Sequence, residues 1–334
     1  MRITAKELAR KLDLSTAAVS MALNNKSGVS AITRKNVMDA AELYGFDFTR
    51  LNGKHPDTGT IRFILYKRQG AVVADTDFFS ELSQGVETGC KNEGYKLQIS
   101  YIYKDEDVSK QVSEIAYSRC SGVILLGTEM SKEDFEPFSH LTTPMVLLDV
   151  YLDSVKYDCI LINNIQGSCL ATEYLISRTK KQPGYLHSSY PINNFEERAE
   201  GFFQAVMRYG MSKSKTIIHY LSPSVEGAFS DMLTLLEDGA ELAPCYFADN
   251  DLIAIGAIKA FQAVGKKIPD DIAIIGFDNV PAAGYVEPSL STIEVPKQYM
   301  GELATRRLIE IIKDRSNLPV KIEVNTKLVK RMSV

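Results

Sequence analysis

Apolar residues recur at helical spacing from the first turn of the chain. In ITAKELARKLDLSTAAVSMALN (residues 3–24), Leu8, Ala9, Leu12, Leu14, Val19 and Leu23 can line one shared seam between two short helices. Thr4, with Glu7 three residues on, reads as a capping box for the first helix, and Ser15 and Thr16 open the second. The intervening DLS leaves room only for a turn. A third helix is predicted over about 31–44, with Val37, Ala40, Ala41 and Tyr44 as its apolar stripe and Gly45 to end it. The polar stretch DFTRLNGKHPDTGT then reads as a linker.

From residue 60 the pattern changes. Strand-like TIRFILY (60–66), YKLQISYIY (95–103), GVILLG (122–127) and PMVLLDV (144–150) are interleaved with helix-like FFSELSQGVETGCKNEG (78–94) and VSKQVSEIAYSR (108–119). A second series follows, with strands at CILIN (159–163), PGYLHSS (183–189), CYFAD (245–249) and IAIIGFD (272–278). Its helices are GSCLATEYLISR (167–178), NFEERAEGFFQAVMRYG (194–210) and DLIAIGAIKAFQAVG (251–265). Such alternation predicts parallel sheets with right-handed crossovers, and two series predict two doubly wound lobes. The expected fold is an α-helical helix-turn-helix head on an α/β core whose ligand cleft lies at the carboxyl ends of the strands. The expected boundaries are 1–50 for the head, 51–60 for the linker and 61–334 for the core. Within the core, 61–158 with 292–320 would form one lobe, and 159–291 with 321–334 the other.

Composition narrows the class. A chain of 334 residues with 45% apolar content can bury two or three cores. No apolar run reaches the roughly 20 residues that span a bilayer, and MRITAKEL lacks the apolar centre of a signal peptide, so a cytoplasmic protein is expected. Five scattered cysteines without CxxC spacing fit free thiols, and four isolated histidines offer no metal site. The net charge of −4 is uneven: residues 1–55 hold nine Lys/Arg against five Asp/Glu, or +4, leaving −8 for the rest. A basic head on an acidic body suits a protein whose head alone touches phosphates. With no GxGxxG after a strand, no P-loop and no GxSxG, neither an enzyme nor a bound cofactor is expected. The helix pair has the shape that sets a recognition helix in the DNA major groove; an ordinary helical hairpin is the alternative.

The order of motifs is specific. LDLSTAAVSMALNN (12–25) and VSAITRKNVMDAAELYGF (29–46) resemble the head of the lactose-repressor (LacI/GalR) family of bacterial transcription regulators. FFSELSQGVETGCKNEGY, SGVILLG and PMVLLDV resemble the family's first lobe. ERAEGF (197–202), FADNDLIAIGAIKAF (247–261), IPDDIAIIGFDN (268–279) and EPSLSTIEVPKQYMG (287–301) resemble its second lobe and crossover. The resemblance implies a homodimer on a near-palindromic double-stranded operator, and the absence of an apolar heptad after the last strand argues against a tetramer. It implies DNA contacts from Thr4, Ser15, Thr16, Ala17, Ser20, Met21, Asn24 and Asn25, with Thr16, Ala17 and Met21 toward base edges. Met21 could instead pack against the first helix. The family's linker helix and its minor-groove leucine are poorly matched by Asn52, Gly53 and His55; Leu51 in a shifted register is the substitute.

In the core the resemblance assigns effector contacts to Asp149, Arg198, Asn250 and Asp278, with Phe78 and Phe79 as an apolar wall. The residue chemistry agrees: carboxylate acceptors, an Arg fork and an Asn amide satisfy the vicinal hydroxyls of a sugar or related polyol. The alternatives are a salt bridge from Arg198 to Glu197 or Glu200, an N-cap role for Asp278 and plain core packing for one phenylalanine. Asn163 and Asn164 read as helix caps. The rival functional class is a stand-alone sugar-binding module of the periplasmic type, which shares the two lobes but has no head.

Overall fold

Caps and one left-handed residue shape the N-terminal helices. Thr4 Oγ1 accepts from the Glu7 amide at 3.3 Å while Glu7 Oε2 accepts from the Thr4 amide at 2.8 Å, and this reciprocal cap starts α1 (Ala5–Lys11). Asp13, at φ 54°, turns the chain, a conformation that Asp tolerates better than most residues. Ser15 Oγ accepts from the Ala18 amide at 3.0 Å and opens α2 (Thr16–Leu23); Ser30 Oγ does the same for α3 (Ala31–Leu43) through Thr33. Leu8, Val19, Val37 and Ala41 are wholly buried in one core with Ala22 and Phe46. Each large aliphatic side chain so buried contributes about 1.5–3 kcal/mol.

The computed structural model describes residues 3–23, 28–44, 46, 59–73, 77–117, 120–153, 155–314 and 318–334. The chain divides into two units, Met1–Thr58 and Gly59–Val334. The expected linker, with Leu51, Asn52, Gly53 and His55, lies outside the described residues.

The larger unit begins with β1 (Thr60–Lys67), α4 (Asp77–Glu93), β2 (Lys96–Tyr103), α5 (Val108–Tyr117) and β3 (Gly122–Leu126). It continues through α6 (Lys132–Phe135), β4 (Met145–Leu148), β5 (Asp158–Ile162), α7 (Asn164–Thr179), β6 (Gly184–Ser188) and α8 (Asn193–Arg208). Then come β7 (Ile218–Leu221), α9 (Val225–Glu237), β8 (Cys245–Ala248), α10 (Asp251–Ala263), β9 (Ala273–Ile275) and α11 (Ala282–Tyr285). The last elements are β10 (Thr292–Glu294), α12 (Lys297–Lys313), β11 (Lys321–Val324) and β12 (Lys327–Val329).

One sheet runs β11-β5-β4-β3-β1-β2 and the other β7-β6-β8-β9, and all neighbours in both are parallel. Every residue of β3, β4 and β5 is buried, as both-face coverage of a parallel sheet demands. The antiparallel pair β10-β12 adjoins the second sheet through bridges from Ile275 to Ser291 and Asp278 to Glu294. Helix α4, which carries Phe78 and Phe79, is held against α12 by Gly85 and Gly301: a Cβ on either would strike the partner's backbone.

The lobe boundaries differ from those expected. Asp158–Ile162 pairs with β4 and Lys321–Val324 pairs with β5, so both belong to the first sheet, while Thr292–Glu294 joins the second. The chain therefore passes between lobes three times: after Ile162, between Glu294 and Lys297, and between Val324 and Lys327. Strand–helix alternation continues unbroken through the first passage, so periodicity carries no mark of it.

Candidate functional site

On the head, Ser15, Thr16, Ala17 and Ser20 lie exposed on one helix, with nothing acidic in its first turn to repel a phosphate. Met21 is half-buried, and its Sδ would lie 3.0 Å from a Cβ at Gly28, so it sits against the segment after the helix. The Thr4 hydroxyl is used locally, donating to Glu7 Oε2 at 2.8 Å. Asn24 and Asn25 lie outside the described residues.

In the larger unit one cavity is lined by all six of the expected effector residues: Phe78, Phe79, Asp149, Arg198, Asn250 and Asp278. Position explains this. Asp149 follows β4, Asn250 follows β8 and Asp278 follows β9, each just beyond the carboxyl end of its strand. Phe78 and Phe79 begin α4 and meet edge to face with centroids 5.0 Å apart.

Arg198 organises the second lobe's side. Only 3% exposed, it donates from Nε to Asn164 Oδ1 at 2.9 Å and from one terminal nitrogen to the Asp249 carbonyl. Its other terminal nitrogen lies 3.1 Å from Asp278 Oδ1, and its guanidinium sits 3.8 Å above the centre of the Phe277 ring. Its ionic partner is thus another cavity residue and not a neighbouring glutamate; Glu197 accepts from Asn164 instead. Asn163 caps α7 through the Gln166 amide at 3.1 Å, whereas Asn164 is a buried link between Arg198 and Glu197.

Asp278 and Asn279 both adopt left-handed φ, 105° and 50°, which swings the chain off β9 at the cavity wall. Lys297 Nζ supports this bend by donating to the Asp278 carbonyl at 2.8 Å. No side-chain cap is made by Asp278. Burial raises its carboxyl above the usual range while Arg198 and Lys297 pull it back. Behind it Asp251, wholly buried, accepts from the Val280 amide and the Thr292 hydroxyl; burial, reinforced by Asp278, pushes it up to about 8. Asn250 spends its side-chain oxygen on the Ile253 amide at 2.9 Å, so its amide protons are what it offers a guest.

Asp149, at φ 58° and 2% exposed, faces the cavity from the first lobe. One oxygen accepts from Thr128 at 2.6 Å and the other from Asn194 of α8 at 2.9 Å. Burial still pushes it up to about 6. The Asn194 bond crosses the cleft, joining the lobes beside the ligand space. A few fixed acceptors and donors in an apolar surround suit binding and orientation of a small polar molecule.

Comparison with known proteins places this architecture. A family model described as a periplasmic binding protein-like domain matches residues 172–334. The Salmonella typhimurium HTH-type transcriptional regulator GalS is 30% identical over 311 residues, 92% of this chain and 89% of that protein. The chain belongs to the lactose-repressor (LacI) family of transcriptional regulators. A second relative in this family, the Mannheimia succiniciproducens HTH-type transcriptional repressor PurR, is 30% identical over 339 residues, covering 99% and 98% of the two chains. A solved complex of the regulator CelR with cellobiose shares the fold, with a TM-score of 0.75 at 22% identity over 100% of both chains.

As a lactose-repressor family member the protein is a DNA-binding transcriptional regulator, neither an enzyme nor a stand-alone binding module. No described helix is long and apolar enough to cross a membrane. Thr128 and Asn194 were not singled out in the sequence, yet both left a signal. Thr128 directly follows the GVILLG run as Asp149 directly follows MVLL, and Asn194 precedes Arg198 by four residues, on the same helix face.

Proposed function

We propose that this protein is a cytoplasmic, homodimeric repressor whose operator affinity falls when a sugar or related polyol occupies the cavity between its core lobes. The cavity supports this reading through one observation above all: acceptors from both lobes converge on one space, and Asp149 of the first lobe is bonded to Asn194 of the second. A guest with several hydroxyls can engage both lobes at once and shift their closure, and operator affinity follows through linkage. That CelR binds cellobiose on the same fold supports the ligand class. On the head, Thr16, Ala17 and Met21 would read base edges, favouring thymine methyls, while Ser15, Ser20, Asn24 and Asn25 would contact phosphates and Thr4 would orient the first helix. The edge strand β2 supports self-association: Ile99, Tyr101 and Tyr103 are 46%, 46% and 38% exposed beside an unpaired strand edge.

The test is a thermal-shift screen of the purified protein against D-galactose, D-ribose, cellobiose, sorbitol and adenosine. A ligand at one hundred times its Kd stabilises the fold by about 2.7 kcal/mol. Any compound that shifts melting is then added to protein bound to its own promoter, with fluorescence anisotropy as readout. Release of DNA supports the proposal; tighter binding would make the compound a co-repressor, and a shift with adenosine alone would overturn the sugar class.

A further inference from the structure

Directly after β1 the chain folds around a single buried side chain that the site described above does not use. Glu129 is 3% exposed, and its carboxylate accepts five backbone N–H groups from the six-residue segment 68–73. Oε2 takes Arg68 at 2.8 Å and Gln69 and Gly70 at 3.1 Å each; Oε1 takes Val72 at 2.7 Å and Val73 at 2.8 Å. Gly70, at φ 69°, supplies the left-handed step that turns successive amides toward one point. The segment contains no helix or strand, so this carboxylate takes the place of a ladder. Its amide donors outweigh the cost of burial and hold Glu129 below the usual carboxylate range.

The segment borders the cavity. Val72 lines it, and Val73 is wholly buried in the core beneath. Adjacent residues therefore fix two different walls: Thr128 holds the Asp149 carboxylate and Glu129 holds segment 68–73. The segment cannot swing away without leaving a buried charge bare and five amides unpaired.

We propose that Glu129 is a positioning residue for the ligand cavity: its buried carboxylate holds segment 68–73 in the shape that makes Val72 a wall, and so sets which effector fits. The inference rests on reading the cavity as the effector site. Glu129 touches no ligand and acts through the backbone it gathers.

Glu129→Gln is the decisive variant, because it keeps the volume but turns an NH₂ toward amides that need an acceptor. Asp158→Asn is the control: Asp158 is also buried in the first lobe, where Arg307 and the Val320 amide bond to it, at the opposite end of its strand from the cleft. Two quantities are measured on the full-length protein: amide hydrogen exchange across 68–73 without ligand, and affinity for D-galactose, D-ribose and cellobiose. Glu129→Gln is expected to speed exchange in 68–73 at least tenfold. It should also weaken the best of the three sugars at least tenfold and narrow the affinity gap between D-ribose and cellobiose. Operator affinity without sugar should stay within threefold, and Asp158→Asn should lower the melting midpoint while moving neither readout. Unchanged exchange overturns the proposal, as does fast exchange with wild-type sugar affinities, or an equal affinity loss in Asp158→Asn. If the wild type binds none of the sugars, the effector class is wrong, and exchange in 68–73 still decides whether Glu129 holds the wall.

Discussion

Replacing Asp278 with Asn separates ligand binding from scaffold in a site where one arginine serves both. Arg198 donates to Asn164 and the Asp249 carbonyl, pairs ionically with Asp278, and holds its guanidinium 3.8 Å from the centre of the Phe277 ring. The compact ammonium of Arg198→Lys lacks the spread of the guanidinium, whose three nitrogens each serve a different partner, and is expected to keep only the Asp278 pair. Two buried acceptors would lose their donors at about 1–3 kcal/mol each, so this variant is expected to lose roughly 2–6 kcal/mol of stability. Asp278→Asn behaves differently. Its carboxylate lies among Asp149, Asp249 and Asp251, and burial already disfavours its charge. Removing that charge while keeping the shape relieves repulsion as it weakens the Arg198 pair, so stability should change by no more than about 1 kcal/mol. Effector affinity should not be spared. A hydroxyl donating to a charged acceptor is worth about 1.5–3 kcal/mol, so losing most of that bond weakens binding roughly tenfold to a hundredfold. Scanning calorimetry of both variants without ligand, with titration calorimetry against the sugar that stabilises the wild type most, measures the two effects apart. Should Asp278→Asn melt as early as Arg198→Lys, or bind the sugar with wild-type affinity, the division of labour argued here is wrong.

Three further outcomes are expected. The ligand-free protein should lose stability, on the order of a few kcal/mol, as pH rises from about 5 to about 8. Asp149, pushed up to about 6, and Asp251, pushed up to about 8, hold protons in the fold that an unfolded chain releases near pH 4, so this stability is present at low pH and lost as each ionises. Urea unfolding at both pH values measures it, and Asp149→Asn should flatten the lower part of the curve; greater stability at pH 8 would contradict the assignment. Operator affinity should fall steeply with added salt, and Thr16→Ala should relax preference at one base pair by roughly 1 kcal/mol; anisotropy that is flat with salt would count against the head as the DNA contact. Tyr101→Glu on the exposed strand edge should shift light scattering from dimer toward monomer and weaken operator binding in parallel, whereas an undisturbed dimer would place the interface elsewhere.

Much of the molecule was legible because it is written locally. Capping residues and apolar spacing give α1 to α3, and the rule that ligands sit at strand ends supports Asp149 and Asp278 from their runs, whereas Asn250 came with the resemblance. The resemblance added Arg198 and the two phenylalanines. Glu129 was invisible, since GTEMSKED reads as an acidic surface turn while its partners lie 56 to 61 residues earlier. Arg198 showed the limit in another way: its neighbours in sequence suggested a glutamate partner, but the helix turns it toward β9, and packing on Phe277 keeps it there. The lobe boundary failed for a related reason. Which sheet a strand joins is decided by its hydrogen-bonded neighbours, and β5 is no more or less apolar than the strands of either lobe.

The three passages of the chain between lobes bear on how the protein is made. One edge of the first sheet is closed by Lys321–Val324, translated long after the sheet's first strand near residue 60. The first lobe must therefore wait, with β5 bare along one side, while the whole second lobe is synthesised. The helical head has no such dependence for its core, which is assembled from residues between Ile3 and Phe46. During translation a head can thus exist before any sensor does, and a chain released early would carry a DNA-reading module that no metabolite controls. A stop codon or frameshift late in the gene would then be felt first in regulation and only afterwards in the ability to find an operator.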